Sequence, residues 1–429
     1  MSVLISAPRG TRDVAPSESY KWHYIENTAR SVAADFGFSE IRFPAFEHTE
    51  LFIRGVGDTT DVVQKEMYTF TDKGGRSISL RPEGTASVVR SYLENSLYAS
   101  GLPCKMYYIV PNFRYEKPQA GRLREHHQFG VECFGSERPE ADAEIISLAA
   151  EYLRRLGVKN VELEINSIGC SDCRPAYHAA LKDYFRARES ELCDTCRDRL
   201  ERNPMRILDC KSEQCRAAAE AAPLVTDYLC RDCRAHFETL QSLLAAHAIA
   251  FKVNPRIVRG LDYYSRTVFE FISSAIGAQG TVIGGGRYDG LVSQLGGSPT
   301  PALGFGSGIE RMMLVMEAEG VVIPRPETTA VFVACQSGEA LAAVSALVNS
   351  LRRLGVSAEC DLMGRSLKAQ MKYAGKTARF TVVVGPSELE SGMASIKDMS
   401  TGESSPCPLT AEAIASAAEN KMISPEASI

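Results

Sequence analysis

Four arginines stand where fixed positive charge could act on an anion. Arg81 lies in Leu80-Arg81-Pro82-Glu83-Gly84-Thr85, just before a helical stretch, and Arg114 in Phe113-Arg114-Tyr115-Glu116, at the mouth of a polar loop. Arg259 precedes Gly260-Leu261-Asp262-Tyr263-Tyr264, and Arg311 ends the run from Gly304 to Glu310. A planar guanidinium grips phosphate or carboxylate oxygens in pairs. Arg311 is the sharpest case. Ser307-Gly308-Ile309-Glu310 has the spacing of a capping box, which puts Arg311 in the first turn of a helix running to Met316, while Gly304 and Gly306 let a ligand approach the backbone. A helix N-terminus with an arginine makes an anion site. Each arginine taken singly is explained as well by a surface ion pair, so the functional reading rests on the set.

Phosphate-binding loops of the common kinds are absent. Gly375-Lys376-Thr377 lacks the glycine five positions earlier, and Gly284-Gly285-Gly286 lacks dinucleotide-fold spacing, so arginines must hold any phosphate. A second chemical clue lies in the stretch from His127 to Cys133. Strand periodicity turns Phe129, Val131 and Cys133 to one side and Gln128, Gly130 and Glu132 to the other. The glycine between two hydrogen-bonding side chains suggests a hollow for a small ligand, with a strand bulge as the alternative.

The elements that must position these residues follow from hydrophobic pattern. Residues 17 to 36 have helical spacing closed by Gly37, and residues 41 to 44 are extended, with Pro44 suited to a sheet edge or a subunit interface. Residues 105–110, 127–134, 161–166 and 267–272 are expected strands. Their irregular connections favour an α+β fold, an antiparallel sheet with flanking helices, over a doubly wound parallel sheet. Residues 170 to about 250 form an alanine-rich helical insertion. After the proline-bearing run from Val321 to Thr329, strands at 330–334 and 380–385 with helices at 340–354 and 366–373 predict a separate α/β domain. The expected division is 1–325 and 326–429, with fraying from about Glu419.

Composition narrows the class. The chain has 429 residues, 45% of them hydrophobic and 24% charged, which indicates a soluble globular protein without membrane spans. Pro8 and Arg9 interrupt the only early apolar stretch, so a cytoplasmic location is expected. A net charge of -5 confines any nucleic-acid contact to local patches. Thirteen cysteines in such a chain are expected to be reduced thiols or metal ligands.

The segments LRPEGT, FRYEKPQAGRLREHHQFGVE, RGLDYYSRTVFEF, GGGRYDGL and ALGFGSGIER occur in that order across nearly the whole chain. Together they resemble histidyl-tRNA synthetase, a class II aminoacyl-tRNA synthetase. FRYE and GFGSGIER are class-wide signals, whereas RGLDYY and GGGRYDGL are similar to the histidine enzyme in particular. The resemblance implies ATP-dependent activation of L-histidine, then transfer to the 3′ end of tRNA(His), in a cytoplasmic homodimer. It implies that Arg114 holds the α-phosphate of a bent ATP, Arg311 the γ-phosphate, and that Arg259 stabilises charge as the amino-acid carboxylate attacks. Glu116, Gly304 and Gly306 complete the implied ATP site, with Mg²⁺ sharing the neutralisation. Glu83, Thr85 and Gln128 are the implied partners of the substrate amino group. Glu132 and Tyr264, with Tyr263 beside it, are those of the imidazole, and Tyr288 closes the pocket. A carboxylate and a phenol pairing with both ring nitrogens reject apolar isosteres, which leave them unpaired.

On the tRNA side the resemblance assigns Gln119, Arg122 and Arg124 to the acceptor end, with Ala120 where the family often carries a basic residue. In the last domain, similar to the anticodon-binding domain of class II enzymes, Arg365, Lys368, Lys372 and Lys376 recur at i, i+3, i+7 and i+11, a basic helical face. A solvated face is the bland alternative. The insertion carries Cys170 with Cys173, Cys193 with Cys196, Cys210 with Cys215, and Cys230 with Cys233. Paired C-x-x-C spacing is a zinc signal, but the implied chemistry needs no zinc, and no metal ligand is assigned. Two other readings stand beside the enzyme: a catalytically silent paralogue that regulates histidine biosynthesis, and a nucleic-acid-binding module without chemistry. The first typically lacks the last domain and active-site residues that are present here. The second leaves Arg259 and the Gln128/Glu132 face unexplained.

Overall fold

The structure is a computed structural model that describes residues 5–58, 60–119, 121–210, 212–277, 280–325 and 329–423. Ala120, part of the run from Val321 to Thr329 and the last residues of the segment expected to fray lie outside them, while the helix Ala411–Ile423 continues past Glu419. The chain divides into two compact units, Met1–Ile323 and Pro324–Ile429.

The first unit carries strands β1 (Ser39–Glu40), β2 (Phe46–His48), β3 (Thr69–Thr71), β4 (Ser77–Leu80), β5 (Cys104–Phe113), β6 (Glu125–Phe134), β7 (Val161–Ser167), β8 (Lys252–Val253), β9 (Ser265–Ser273), β10 (Thr281–Arg287) and β11 (Ala302–Gly308). Eight of them form one sheet in the order β1-β5-β6-β11-β10-β9-β7-β8, antiparallel throughout its middle, and β2-β4-β3 form a small second sheet. This is the expected α+β architecture. Both hairpin strands β5 and β6 run longer than hydrophobic pattern alone indicates, because their outer ends pair residue by residue up to Phe113 and Glu125.

The two faces of the sheet divide as alternation requires. Phe129, Val131 and Cys133 pack into an apolar core with helices α1 (Ser19–Asp35), α4 (Pro139–Arg155) and, beyond the insertion, the helix Ile309–Ala318. Helix α4 starts on Pro139 with Glu140 and Asp142 in its first turn and ends on Arg154 and Arg155, a charge order that suits its dipole. The opposite face carries the site and the helix Thr85–Glu94. The insertion is helical as expected: α5 (Arg174–Arg186), α6 (Asp194–Arg202), α7 (Glu213–Ala219) and α8 (Arg231–Ala246).

Strands β10 and β11 escape a propensity reading, because Gly284-Gly285-Gly286 and the glycines at 304, 306 and 308 supply no β-branched signal. They lie in the middle of the sheet, where neighbours on both sides determine their conformation. A Cβ on Gly285 would overlap the Gly304 carbonyl and the Phe269 ring, so close packing demands the missing side chain.

Arg81 is a structural residue. Its Nη1 donates to the Phe43 and Pro44 carbonyls at 3.0 and 2.7 Å and its Nε to the Pro111 carbonyl at 2.7 Å, tying the segment after β1 to the end of β5. Arg287 is likewise structural. It is fully buried, grips Asp142 of α4 through Nε and Nη2 at 2.6–2.9 Å, and donates to the Ser136 and Arg138 carbonyls at 2.8 Å.

The second unit is a five-stranded sheet of strands Thr329–Cys335, Ala358–Cys360, Ala378–Val384, Met393–Asp398 and Ser404–Pro408, with helices Leu341–Arg353, Leu367–Thr377, Pro386–Ser391 and Ala411–Ile423. The short strand Ala358–Cys360 and the hairpin formed by the last two strands were not anticipated, as they are brief and polar. Removing Arg287 leaves the Asp142 carboxylate buried beside a void. Arg287→Ala should therefore lower unfolding free energy by about 3–5 kcal/mol in urea titration, where an exposed arginine change such as Arg42→Ala should have almost no effect.

Candidate active site

A cavity of about 730 Å³ opens on the polar face of the large sheet. Its lining includes Glu83, Thr85, Arg114, Glu116, Gln128, Tyr263, Tyr264, Tyr288, Arg259, Gly304, Gly306 and Arg311, residues scattered over more than two hundred positions of sequence. Sheet registry brings them together: Gly304 lies opposite Glu132, Gly306 opposite Gly130, and Gly284 opposite both Gly306 and Glu270.

Glu132 is not itself in the cavity lining: it is buried directly behind Thr85, Tyr108 and Tyr288, which are, and accepts hydrogen bonds from Thr85 Oγ1 at 2.7 Å, from Tyr108 Oη at 3.1 Å, and from Tyr288 Oη. Burial pushes its carboxyl up to about 8, the Tyr288, Thr85 and Tyr108 hydroxyls pull the other way, and nearby Glu83 adds to the rise. The proton is therefore largely retained at neutral pH. Hydroxyls can donate or accept, so this ring of partners fits either charge state. Tyr263 packs its ring 4.7 Å from that of Tyr264 and 5.4 Å from that of Tyr288, which joins the two tyrosine segments into one wall.

The hollow expected over Gly130 is occupied. A Cβ there would overlap the Tyr108 ring, so the glycine admits a tyrosine, and Tyr108 in turn lines the cavity. The same device operates at Gly304, whose missing Cβ makes room for the Glu132 carboxylate, at Gly306 for the Gln128 amide, and at Gly284 for the Arg259 guanidinium. These glycines serve the protein's own site side chains. Gln128 is held by Asn112, whose Nδ2 donates to its Oε1 at 2.7 Å, and Glu83 accepts the backbone N–H groups of Thr85 and Ala86 at 2.8 Å.

The other half of the cavity is cationic. Arg114 Nε donates to the Pro82 carbonyl at 2.8 Å and Arg311 Nη1 to the Thr281 carbonyl at 2.7 Å. Burial, followed by the charges of Arg122 and Arg114, draws the Arg311 pKa below its usual value. His126, unmarked in the sequence reading, also lines the cavity; burial and the charges of Arg114, His127, Arg311 and Arg122 hold it down at about 3, so it stays neutral. Positive groups gathered this closely, with Arg311 and His126 held down by burial and by their neighbours' charge, are a site prepared for a polyanion. Between the two halves, Arg259 forms an ion pair with Glu270, and burial, which alone depresses its pKa, is outweighed by Glu270 and Tyr264. Glu270 also accepts from Thr281 Oγ1 at 2.8 Å, while Arg259 Nε makes no hydrogen bond among the described residues.

The capping box at Ser307 does not form. Ser307 belongs to β11 and its Oγ donates to the Val282 carbonyl at 3.3 Å, while Glu310 accepts the His127 backbone N–H at 2.9 Å instead of that of its own helix start. The helix does begin at Ile309, and Arg311 is in its first turn. The Gln119–Arg124 loop splits. Arg122 points into the cavity and pairs with Glu116; Arg124 stacks on the Tyr115 ring at 3.9 Å; Gln119 lines a neighbouring cavity of about 220 Å³. In the second unit Arg365 precedes the helix that starts at Leu367 and bonds Asp361 at 2.6 Å, so the exposed helical face is made by Lys368, Lys372 and Lys376.

An antiparallel sheet with arginines ranged over one face and a deep polar floor defines the class II aminoacyl-tRNA synthetase architecture. Residues 10–312 match the histidyl-tRNA synthetase family and residues 330–416 the anticodon binding domain family. Histidine--tRNA ligase of Caldanaerobacter subterraneus subsp. tengcongensis is 57% identical over 94% of this chain and 96% of its own length, and that of Acetivibrio thermocellus is 55% identical over the same shares. A crystal structure of apo S. aureus histidyl-tRNA synthetase superposes with a TM-score of 0.82 at 39% identity, covering 95% of this chain and 98% of that one. The chain belongs to the histidyl-tRNA synthetase family.

The elevated Glu132 pKa has a consequence for stability. A carboxyl whose folded pKa exceeds its unfolded one contributes fully below the unfolded value, near 4.5, and loses that contribution as pH rises towards 8. Glu132→Gln mimics the protonated form without titrating. Thermal melts should show the variant gaining on the parent by a few kcal/mol between pH 5 and 8, whereas a constant difference would place the Glu132 pKa near its ordinary value.

Proposed function

We propose that this chain is a histidine–tRNA ligase. It joins L-histidine to ATP to give histidyl-adenylate and pyrophosphate, then transfers the histidyl group to the 3′ end of tRNA(His). The observation that carries this reading is one cavity lined at one end by Thr85, Tyr108 and Tyr288, whose hydroxyls hold the buried Glu132 carboxyl behind them, and at the other by a cluster of arginines, with Arg259 also in the lining.

In this scheme the imidazole of histidine meets Glu132 and Tyr264 at the floor, with Tyr263 and Tyr288 as walls, and the α-amino group meets Glu83, Thr85 and Gln128. That leaves the substrate carboxylate facing Arg259. Arg114 and Arg311 bind the ATP phosphates, with Glu116, Gly304 and Gly306 bordering the nucleotide. Attack of a carboxylate oxygen on the α-phosphorus expels pyrophosphate, and Arg259 offsets the negative charge that accumulates there. No protein nucleophile is required, since fixed charge and alignment provide the acceleration. The carboxylates of Glu116 and Glu270 are the hard oxygen donors adjoining the arginines, a fit for Mg²⁺ accompanying ATP. Bound there, Mg²⁺ supplies further neutralisation of the phosphates. Gln119, Arg122 and Arg124 serve the acceptor end, with Arg122 also placed to sense the nucleotide, and Arg365, Lys368 and Lys372 serve the anticodon side of tRNA.

The site works in the cytoplasm as a homodimer in this reading. Exposed Phe46 and Phe70 on the small sheet near Pro44 offer apolar surface to a second copy. Among the described residues no helix is long and apolar enough to cross a membrane. A regulatory paralogue is disfavoured by the retention of Arg114, Arg259 and Arg311 around one cavity and by the anticodon-binding match at residues 330–416.

Exchange of labelled pyrophosphate into ATP should depend on L-histidine and on no other member of an amino-acid panel. Arg259→Ala should lower that exchange by roughly 10²–10³ with fold intact by circular dichroism. Absence of exchange from folded parent protein overturns the ligase reading, and undiminished exchange in Arg259→Ala overturns the role given to that residue.

A further inference from the structure

The insertion gathers its cysteines into two separate groups of four. Cys170 and Cys173, in the turn after β7, meet Cys230 and Cys233 at the start of α8; Cys193 and Cys196, at the start of α6, meet Cys210 and Cys215. Within each group every sulfur lies within 4.8 Å of every other. The individual separations are 3.7 Å for Cys170 to Cys173, 3.9 Å for Cys170 to Cys230, and 3.8 Å for Cys193 to Cys210.

Those lengths discriminate between chemistries. A disulfide requires about 2.05 Å between sulfurs. Four sulfurs held about 2.3 Å from one central ion at tetrahedral angles lie about 3.8 Å apart, which is the edge seen in both groups. We infer that the insertion contains two structural Zn²⁺ sites, Cys170/Cys173/Cys230/Cys233 and Cys193/Cys196/Cys210/Cys215, each a closed four-thiolate tetrahedron with no position open for substrate.

The surroundings support such ligands. The Cys230 N–H donates to Cys173 Sγ at 3.1 Å and the Cys193 N–H to Cys215 Sγ at 3.2 Å, the backbone bonds that steady and partly neutralise thiolates. Cys193 and Cys230 occupy the N-cap positions of α6 and α8, where the helix dipole favours negative sulfur. Two cysteines of each group are buried and two half-buried, so neither centre lies open to solvent.

The insertion also has need of them. Its helices α6 and α7 span 9 and 7 residues, too short to persist alone, and they are held by apolar packing through side chains such as Leu181, Phe185, Leu200 and Ile207. The ions would fix parts of the active cavity through it. Leu208, Asp209 and Cys210 line that cavity, and Arg206 Nη1 donates to the Arg259 carbonyl at 3.0 Å. From the other cluster, the Arg174 guanidinium, one residue past Cys173, donates to the Tyr264 carbonyl, and Gly169 accepts the Arg266 N–H at 2.8 Å.

Elemental analysis of the full chain, purified without chelator, tests the inference without any variant and without reference to activity. Two zinc ions per chain are expected, with the eight thiols protected from a thiol reagent until a chelator or mercurial releases the metal. Cys170→Ser with Cys233→Ser, and separately Cys210→Ser with Cys215→Ser, should each reduce the count to one. Substoichiometric zinc with all eight thiols reactive in folded protein, disulfides in their place, or iron instead of zinc would overturn the proposal. A parent count of one would overturn whichever site its double variant shows to be empty.

Discussion

A carboxyl group buried on one face of an antiparallel sheet costs several kcal/mol unless its oxygens are satisfied, and in this protein that constraint organises the site. Glu132 meets it with three hydroxyls drawn from three places: Thr85 at the start of a helix, Tyr108 on β5 and Tyr288 just after β10. Space must also be found on the neighbouring strand, which is why Gly304 stands opposite Glu132. The glycine content of β10 and β11 is thus a consequence of what the adjacent strands carry.

The cavity combines two opposed electrostatic problems. Behind one end desolvation keeps the Glu132 carboxyl protonated, while at the other burial and the charges of Arg122 and Arg114 draw Arg311 down, and burial with the neighbouring cations holds His126 neutral. A ligand that is polar and uncharged at one end and polyanionic at the other relieves both. Arg259, already paired with Glu270, lies where the two meet, so its guanidinium is oriented before substrate arrives. Orientation in advance of binding is what electrostatic catalysis requires.

The chemistry was legible in the sequence where residue type and local spacing were enough. The Phe129/Val131/Cys133 and Gln128/Glu132 faces follow from alternation, and Arg311 enters the first turn of its helix where the pattern put it. Features that depend on distant neighbours were not legible. Nothing local distinguishes Ser307 as a strand residue from Ser307 as a cap, since the difference lies in its pairing with β6 and β10. Gly130 looked like a hollow because Tyr108, which fills it, comes from another strand. His126 was missed because its role arises from three arginines that converge on it only in the fold. The cysteine spacing carried a zinc signal from which no ligand was assigned, and which pairs come together depends on the fold, which brings Cys170 to Cys230 across 60 residues.

In the proposed function the substrate ring is recognised over a protonated, fully partnered Glu132. Infrared difference spectroscopy tests this directly. A protonated-carboxyl band is expected that titrates near pH 8, is absent from Glu132→Gln, and shifts when L-histidine is added but not when L-phenylalanine is. A Glu132 carboxyl already ionised at pH 6, or a band indifferent to L-histidine, would contradict it.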